Sequence, residues 1–141
     1  MRRSALITAL LAIMLTPSAA FAMSGYMWKK RPLVVFAPDG NASALASQRA
    51  IVAGARGGFA ERHMVVVWVV GDSVSSELGG GPGLSAADLR RRYGVARGSF
   101  RAILIGKDGG AKISSSKPLA AGMLFSTIDA MPMRRDEMRG R

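Results

Sequence analysis

The chain has 141 residues, with 20 Lys or Arg against nine Asp or Glu, one His and no Cys, for a formal net charge of +11. The missing thiol excludes disulfides, cysteine redox chemistry and thiolate metal sites, and one histidine among scattered acids offers no ligand cluster, so neither metal nor cofactor is expected. The positive surplus favours contact with anionic polymers or surfaces.

Residues 1–22 read as a signal peptide. Arg2 and Arg3 precede the apolar run Ala5 to Leu15, and "SAAFA" places small residues at Ala20 and Ala22, so cleavage is expected after Ala22. The run is shorter than the roughly 20 residues that cross a bilayer. The expected product, residues 23–141, is a periplasmic or secreted single domain without a transmembrane segment. Losing Arg2 and Arg3 leaves it a charge of +9, and at about 120 residues it can bury about two thirds of its unfolded surface.

"PLVVFA" is an apolar, β-rich run that predicts a buried strand over Leu33–Phe36. Asn41 or Ser43 can cap a helix after it, so "NAS" at 41–43 reads as a cap before it reads as a glycosylation acceptor. Leu45, Val52, Ala55 and Phe59 form that helix's inner stripe, with Ile51 beside it, and Gly57 and Gly58 are expected to stop it. "MVVVWVV", Met64–Val70, needs cover on both faces and predicts a central parallel strand. "GDSVSSELGGGPG" reads as a polar loop, and no Gly-Lys-Ser/Thr follows its glycines, so it is no phosphate loop.

Ser85 and Asp88 have capping-box spacing at the start of a short helix that places Leu89 and Tyr93 on one face and ends at Gly94. "FRAILIGKDGGAKISSS" reads as a hairpin, with Asp108 and Gly109 at positive φ and the polar Ala111–Ser115 as an edge strand. Ala121, Leu124, Phe125, Ile128 and Met131 mark a last amphipathic helix. Pro132 is expected to stop it, leaving a mobile basic tail.

The expected fold is α/β: a three-layer sandwich around a mixed sheet, in the order β-α-β-α-β-β-α, with the first two strands parallel and the last two a hairpin. That order is the minimal thioredoxin-like pattern. "YGVARGSFRAILIGKDGG" also resembles the stretch of thioredoxins and peroxiredoxins in which a helix ends in Tyr-Gly-Val and an apolar strand enters a Lys-Asp-Gly hairpin. Asp39–Ser43 then falls where thioredoxins carry redox cysteines, and has none. The segments "YMWKKRPLVVFAP", "GFAERH", "LIGKDGGAK" and "LFSTIDAMPMRRDEM" resemble the family called domain of unknown function 4174, short exported bacterial proteins described as thioredoxin-like or peroxiredoxin-like. His63 departs from that pattern, where an acidic residue is expected. The resemblance implies a fold and no activity.

The peroxiredoxin likeness also implies that Arg101 stands where those enzymes hold an arginine beside the thiolate and the peroxide. Arg101 with Asn41 and Ser43 is therefore a candidate anion site at the first helix's start. Ser43 lacks a base to make it nucleophilic, and His63 lies before the central strand, away from that helix start. Lys29, Lys30, Arg31, Arg90, Arg91, Arg134 and Arg135 are candidates for a basic surface, with Arg92 beside them. Without aromatic residues interleaved among these charges, nucleic acid is not an expected partner. The expected function is a non-redox binding module for an anionic polysaccharide, a lipid headgroup or an envelope protein. The alternatives are a peroxiredoxin-derived enzyme using Arg101 on an anionic substrate, and a copper carrier using Met131, Met133 and Met138.

Overall fold

The structure is a computed structural model and describes residues 23–140; the expected signal peptide lies outside the described residues. Among these, no helix is long and apolar enough to cross a membrane. The two most apolar runs become the middle of the fold. Strand β1 (Arg31–Ala37) is buried along its whole length, and β2 (Met64–Val70) along all but its last residue. They pair in parallel from Arg31 opposite Met64 to Ala37 opposite Val70. On its other side β1 pairs antiparallel with β4 (Arg101–Ile105), Leu33 lying opposite Leu104 and Phe36 opposite Arg101. With β3 (Ser73–Glu77) beside β2 and β5 (Ala111–Ser115) beside β4, the five-stranded mixed sheet has the order β3-β2-β1-β4-β5.

Strand periodicity sorts the buried side chains to two faces. Leu33, Val35, Val66, Trp68 and Leu104 face Leu45 and Val52 of α1 (Ser43–Gly54), Phe59 of α2 (Arg56–Glu61), and Leu124 and Ile128 of α4 (Ala121–Asp129). Val34, Phe36, Val67, Val69, Ile103 and Ile105 face Ala86 and Leu89 of α3 (Ala86–Tyr93), with Leu84 and Val95 at its ends. The chain is thus an α/β protein with helices on both faces of one sheet. Each fully buried Leu, Ile or Phe contributes about 1.5–3 kcal/mol.

The α3 boundaries follow the sequence: Ser85 Oγ accepts from the Asp88 N–H at 3.1 Å, and Gly94 closes the helix at φ 67°. Five other expectations are corrected. Ser73–Glu77 is a strand, because Glu77 accepts from the Trp68 indole at 2.9 Å and pairs with Arg56, which fixes this polar segment on the edge of β2. Gly57 and Gly58 do not end a helix. The break is at Ala55, and both glycines lie within α2, where Gly58 makes room for the Phe125 ring of α4. Neither Asn41 nor Ser43 caps α1: Ala42 holds the cap position without a side-chain bond, and Asp39 Oδ1 accepts from the Asn41 N–H at 2.8 Å. In the hairpin only Gly109 has positive φ, at 82°; Asp108 instead accepts from the Gly110 N–H and Lys112. Finally, Pro132 opens a helix. It occupies the first position of α5 (Pro132–Arg139), where its missing N–H costs nothing, so the expected tail is folded and its Arg134 is 1% exposed.

Candidate functional site

The register puts Arg101 opposite Phe36, at the same end of the sheet as the turn from β1 into α1. Its Nη1 donates across the hairpin to Ser114 Oγ at 3.3 Å, and among the described residues no hydrogen bond or ion pair joins it to Asn41 or Ser43. Asn41 is exposed in the turn and Ser43 begins α1. The polar centre at this end is Arg90, counted from sequence as surface but only 5% exposed. It donates to Gly71 O at 2.6 Å and to Ala37 O at 3.1 Å, tying together the ends of the two parallel strands.

The opposite end of the parallel pair holds a cluster of charges. Arg31, the first residue of β1, points its fork at Glu137 of α5, with Nη1 to Oε2 at 3.2 Å and Nη2 to Oε1 at 3.1 Å, and Nη1 also donates to Arg62 O at 2.9 Å. Lys107, after β4, donates to Glu137 Oε1 at 2.5 Å and lies 2.8 Å from His63 Nδ1. Arg134 reaches Asp129 at 3.1 Å and Glu61 Oε1 at 3.2 Å, while Arg62 forks onto Asp129 at 2.9 and 3.0 Å and lies 4.1 Å over the Phe125 ring. Arg31 and Arg134 are each 1% exposed and Lys107 is 7% exposed. Arg31 and Arg134 are therefore buried, paired ions and not members of an exposed basic surface. Such pairs hold only while every partner stays in place, because removing one leaves a buried charge uncompensated.

Burial alone would raise the Glu137 carboxyl, but hydrogen bonds from Arg31 and Lys107 and their charges outweigh it and bring the pKa down to about 2. Burial first, and then the charge of Lys107, lowers His63 from the ordinary histidine value against the pull of Glu137. The ring is therefore neutral at neutral pH, with Nδ1 free to accept from Lys107. The hydrogen bonding assigns its proton to Nε2.

Beside the cluster opens a cleft of about 310 Å³ lined by Trp28, Arg31, Lys107, Lys112, Met131 and Met133 among others. Two of the methionines considered for copper, Met131 and Met133, share this cleft, while Met138 lies exposed further along α5. Thioethers suit a cuprous ion, but three cationic side chains line the same cleft and disfavour it.

All nine carboxylates have partners. Asp39 accepts from a backbone N–H, and the other eight are ion-paired with Arg or Lys. The cations left without a carboxylate among the described residues include the exposed Lys29, Arg49, Arg92, Lys117 and Arg135 and the half-buried Lys30. Lys29 and Lys30 line a second cleft with Tyr26, and Tyr26 and Arg92 line a third, so these three cations surround one tyrosine. Arg91 is spent on Asp88, and Arg135 lies apart on α5.

A family model described as a domain of unknown function (DUF4174) matches residues 22–137. The chain belongs to that family. The four segments that carry the DUF4174 resemblance supply Arg31, then Glu61, Arg62 and His63, then Lys107, then Asp129, Arg134 and Glu137, so they converge on the charge cluster. A similar curated protein is coiled-coil domain-containing protein 80 of Danio rerio, 26% identical over 134 residues, covering 82% of this chain. The match spans only 15% of that relative's length. No solved structure matches significantly.

Proposed function

We propose that this DUF4174 chain is an exported, thioredoxin-like binding module that holds an anionic envelope polymer or headgroup and carries out no thiol chemistry. The fold reading is supported by the strand order, with the parallel β1–β2 pair joined through helices and the β4–β5 hairpin at one edge. Export is supported by the pattern of residues 1–22. The absence of cysteine removes the redox couple that such a scaffold would otherwise carry.

The observation that carries the binding reading is the complete use of the carboxylates. Most of the net charge sits on cations such as Lys29, Lys30, Arg92 and Arg135 that no acid neutralises. Such a surface attracts polyanions, and its attraction is screened at distances beyond about 8–10 Å at physiological salt. The test is co-sedimentation of the purified protein with anionic vesicles and with an acidic polysaccharide gel, each against a neutral counterpart. Retention on one anionic matrix identifies the class of partner. Equal retention on all four would end the proposal.

A further inference from the structure

The cleft beside the charge cluster combines features that no ion pair within the protein uses up. Arg31 has five N–H donors. Three are engaged, by Arg62 O and the two Glu137 oxygens, and Nε is buried without any acceptor. Lys107 has three donors, of which Glu137 and His63 take two. The charges are unbalanced in the same sense. Arg31, Arg62, Lys107 and Arg134 face only Glu61, Asp129 and Glu137, and His63 is neutral. Asp108, which also lines the cleft, is already held by Lys112 and the Gly110 N–H. The base of the cleft therefore has spare donors and a positive excess, and its one lining carboxylate, Asp108, is already engaged.

Its walls have the opposite character. Trp28, Met131, Pro132 and Met133 present apolar surface, with Trp28 61% and Met133 38% exposed. Exposed Trp and Met standing over buried cations suit a ligand with one anionic end and an apolar body. A volume of about 310 Å³ is at the small end of the roughly 300–1,000 Å³ range of ligand sites.

We propose that this cleft binds a small apolar monocarboxylate, its carboxylate accepting from Arg31 and Lys107 and its body lying between Trp28 and Met133. The site does not depend on the polyanion reading: a protein indifferent to anionic polymers would still take this ligand.

The test uses the full purified protein and three probes: octanoate, octanol as its neutral counterpart, and acetate as the headgroup without a body. Binding is read from methionine-methyl NMR shifts and from quenching of Trp28, with Trp28→Ala assigning the fluorescence. Octanoate is expected to shift the Met131 and Met133 methyls and to bind at least tenfold more tightly than either octanol or acetate. Met133→Glu, a change at an exposed position in the first turn of α5, brings a competing carboxylate to the mouth and is expected to weaken octanoate at least fivefold with an unchanged melting temperature. The proposal is overturned if octanol matches octanoate, if acetate does, if the shifts fall on methionines outside the cleft, or if Met133→Glu binds as well as the parent.

Discussion

Replacing Glu137 by Gln removes the one carboxylate that Arg31 and Lys107 share, while keeping the side chain's shape. The folded pKa of about 2 against an ordinary 4.5 corresponds to about 3 kcal/mol of stability, on a side chain that is 18% exposed and thus mostly shielded from screening. Because the folded value is the lower of the two, this contribution is complete above the unfolded pKa of about 4.5 and is lost as pH falls towards about 2. Glu137→Gln should therefore cost about 3 kcal/mol at pH 7. The gap to the parent should close between pH 4.5 and pH 2, where a protonated Glu137 resembles the amide. Urea unfolding of both proteins at several pH values measures it. Asp108 and Asp129 are also held below the usual carboxylate range, by Lys112 and by Arg62, so both proteins lose stability in acid, and the difference between them isolates Glu137. A gap below about 1 kcal/mol at pH 7, or one that does not change with pH, would refute the assignment.

Two glycines one residue apart should respond in opposite directions. Gly57→Ala meets open space and should gain up to about 1 kcal/mol of helix propensity in a thermal melt, whereas a Cβ on Gly58 would stand 2.6 Å from the Phe125 ring, so Gly58→Ala should lose about 1–3 kcal/mol. Gln48, fully buried on α1, donates to Leu119 O at 3.0 Å and accepts from Leu119 N–H at 2.7 Å; Gln48→Leu should cost about 2–3 kcal/mol by denaturant titration, since it orphans both groups. Arg90→Met should cost about 2 kcal/mol in the same assay and loosen the strand ends, seen as faster hydrogen exchange at Gly71, whose N–H bonds Ala37 O.

Where one residue type dominates a segment, its structure was legible. The β-branched runs of β1 and β2, the Ser85 cap, the Gly94 terminator and the stripe of α4 can all be read from local chemistry. The misreadings arise where a residue has two meanings that only tertiary contacts separate. Pro132 ends one helix by starting another, and Gly58 serves packing where its type suggests a stop. Ser73–Glu77 has no apolar alternation and is a strand because Glu77 finds Trp68 and Arg56. The charge cluster was hidden for the same reason: Arg31, Lys107 and Glu137 are far apart in sequence and meet only because α5 folds back over the start of β1. One signal did point to it. Every segment carrying the family resemblance contains a charged residue that ends in this cluster. The anion site expected at Arg101, Asn41 and Ser43 rested on an analogy to one end of the sheet, where Arg101 turns to Ser114 instead; a buried Nε without an acceptor occurs at each end, on Arg90 at that one and on Arg31 at the other, and only Arg31 lines the cleft with Trp28 and Met133.

The reading of this chain as a holder of anions is tested most sharply by its affinity for the matching anionic matrix as a function of ionic strength, compared between the parent and a Lys29→Glu, Lys30→Glu double variant. Lys29 is exposed and Lys30 half-buried, and among the described residues no ion pair joins either to a carboxylate, so the fold should survive the change. The parent should bind with an affinity that falls at least tenfold between 50 and 200 mM salt, on the order expected for screened contacts, and the double variant should lose most of that affinity at the lower salt. Retention insensitive to salt, or equal for the two proteins, would contradict the account.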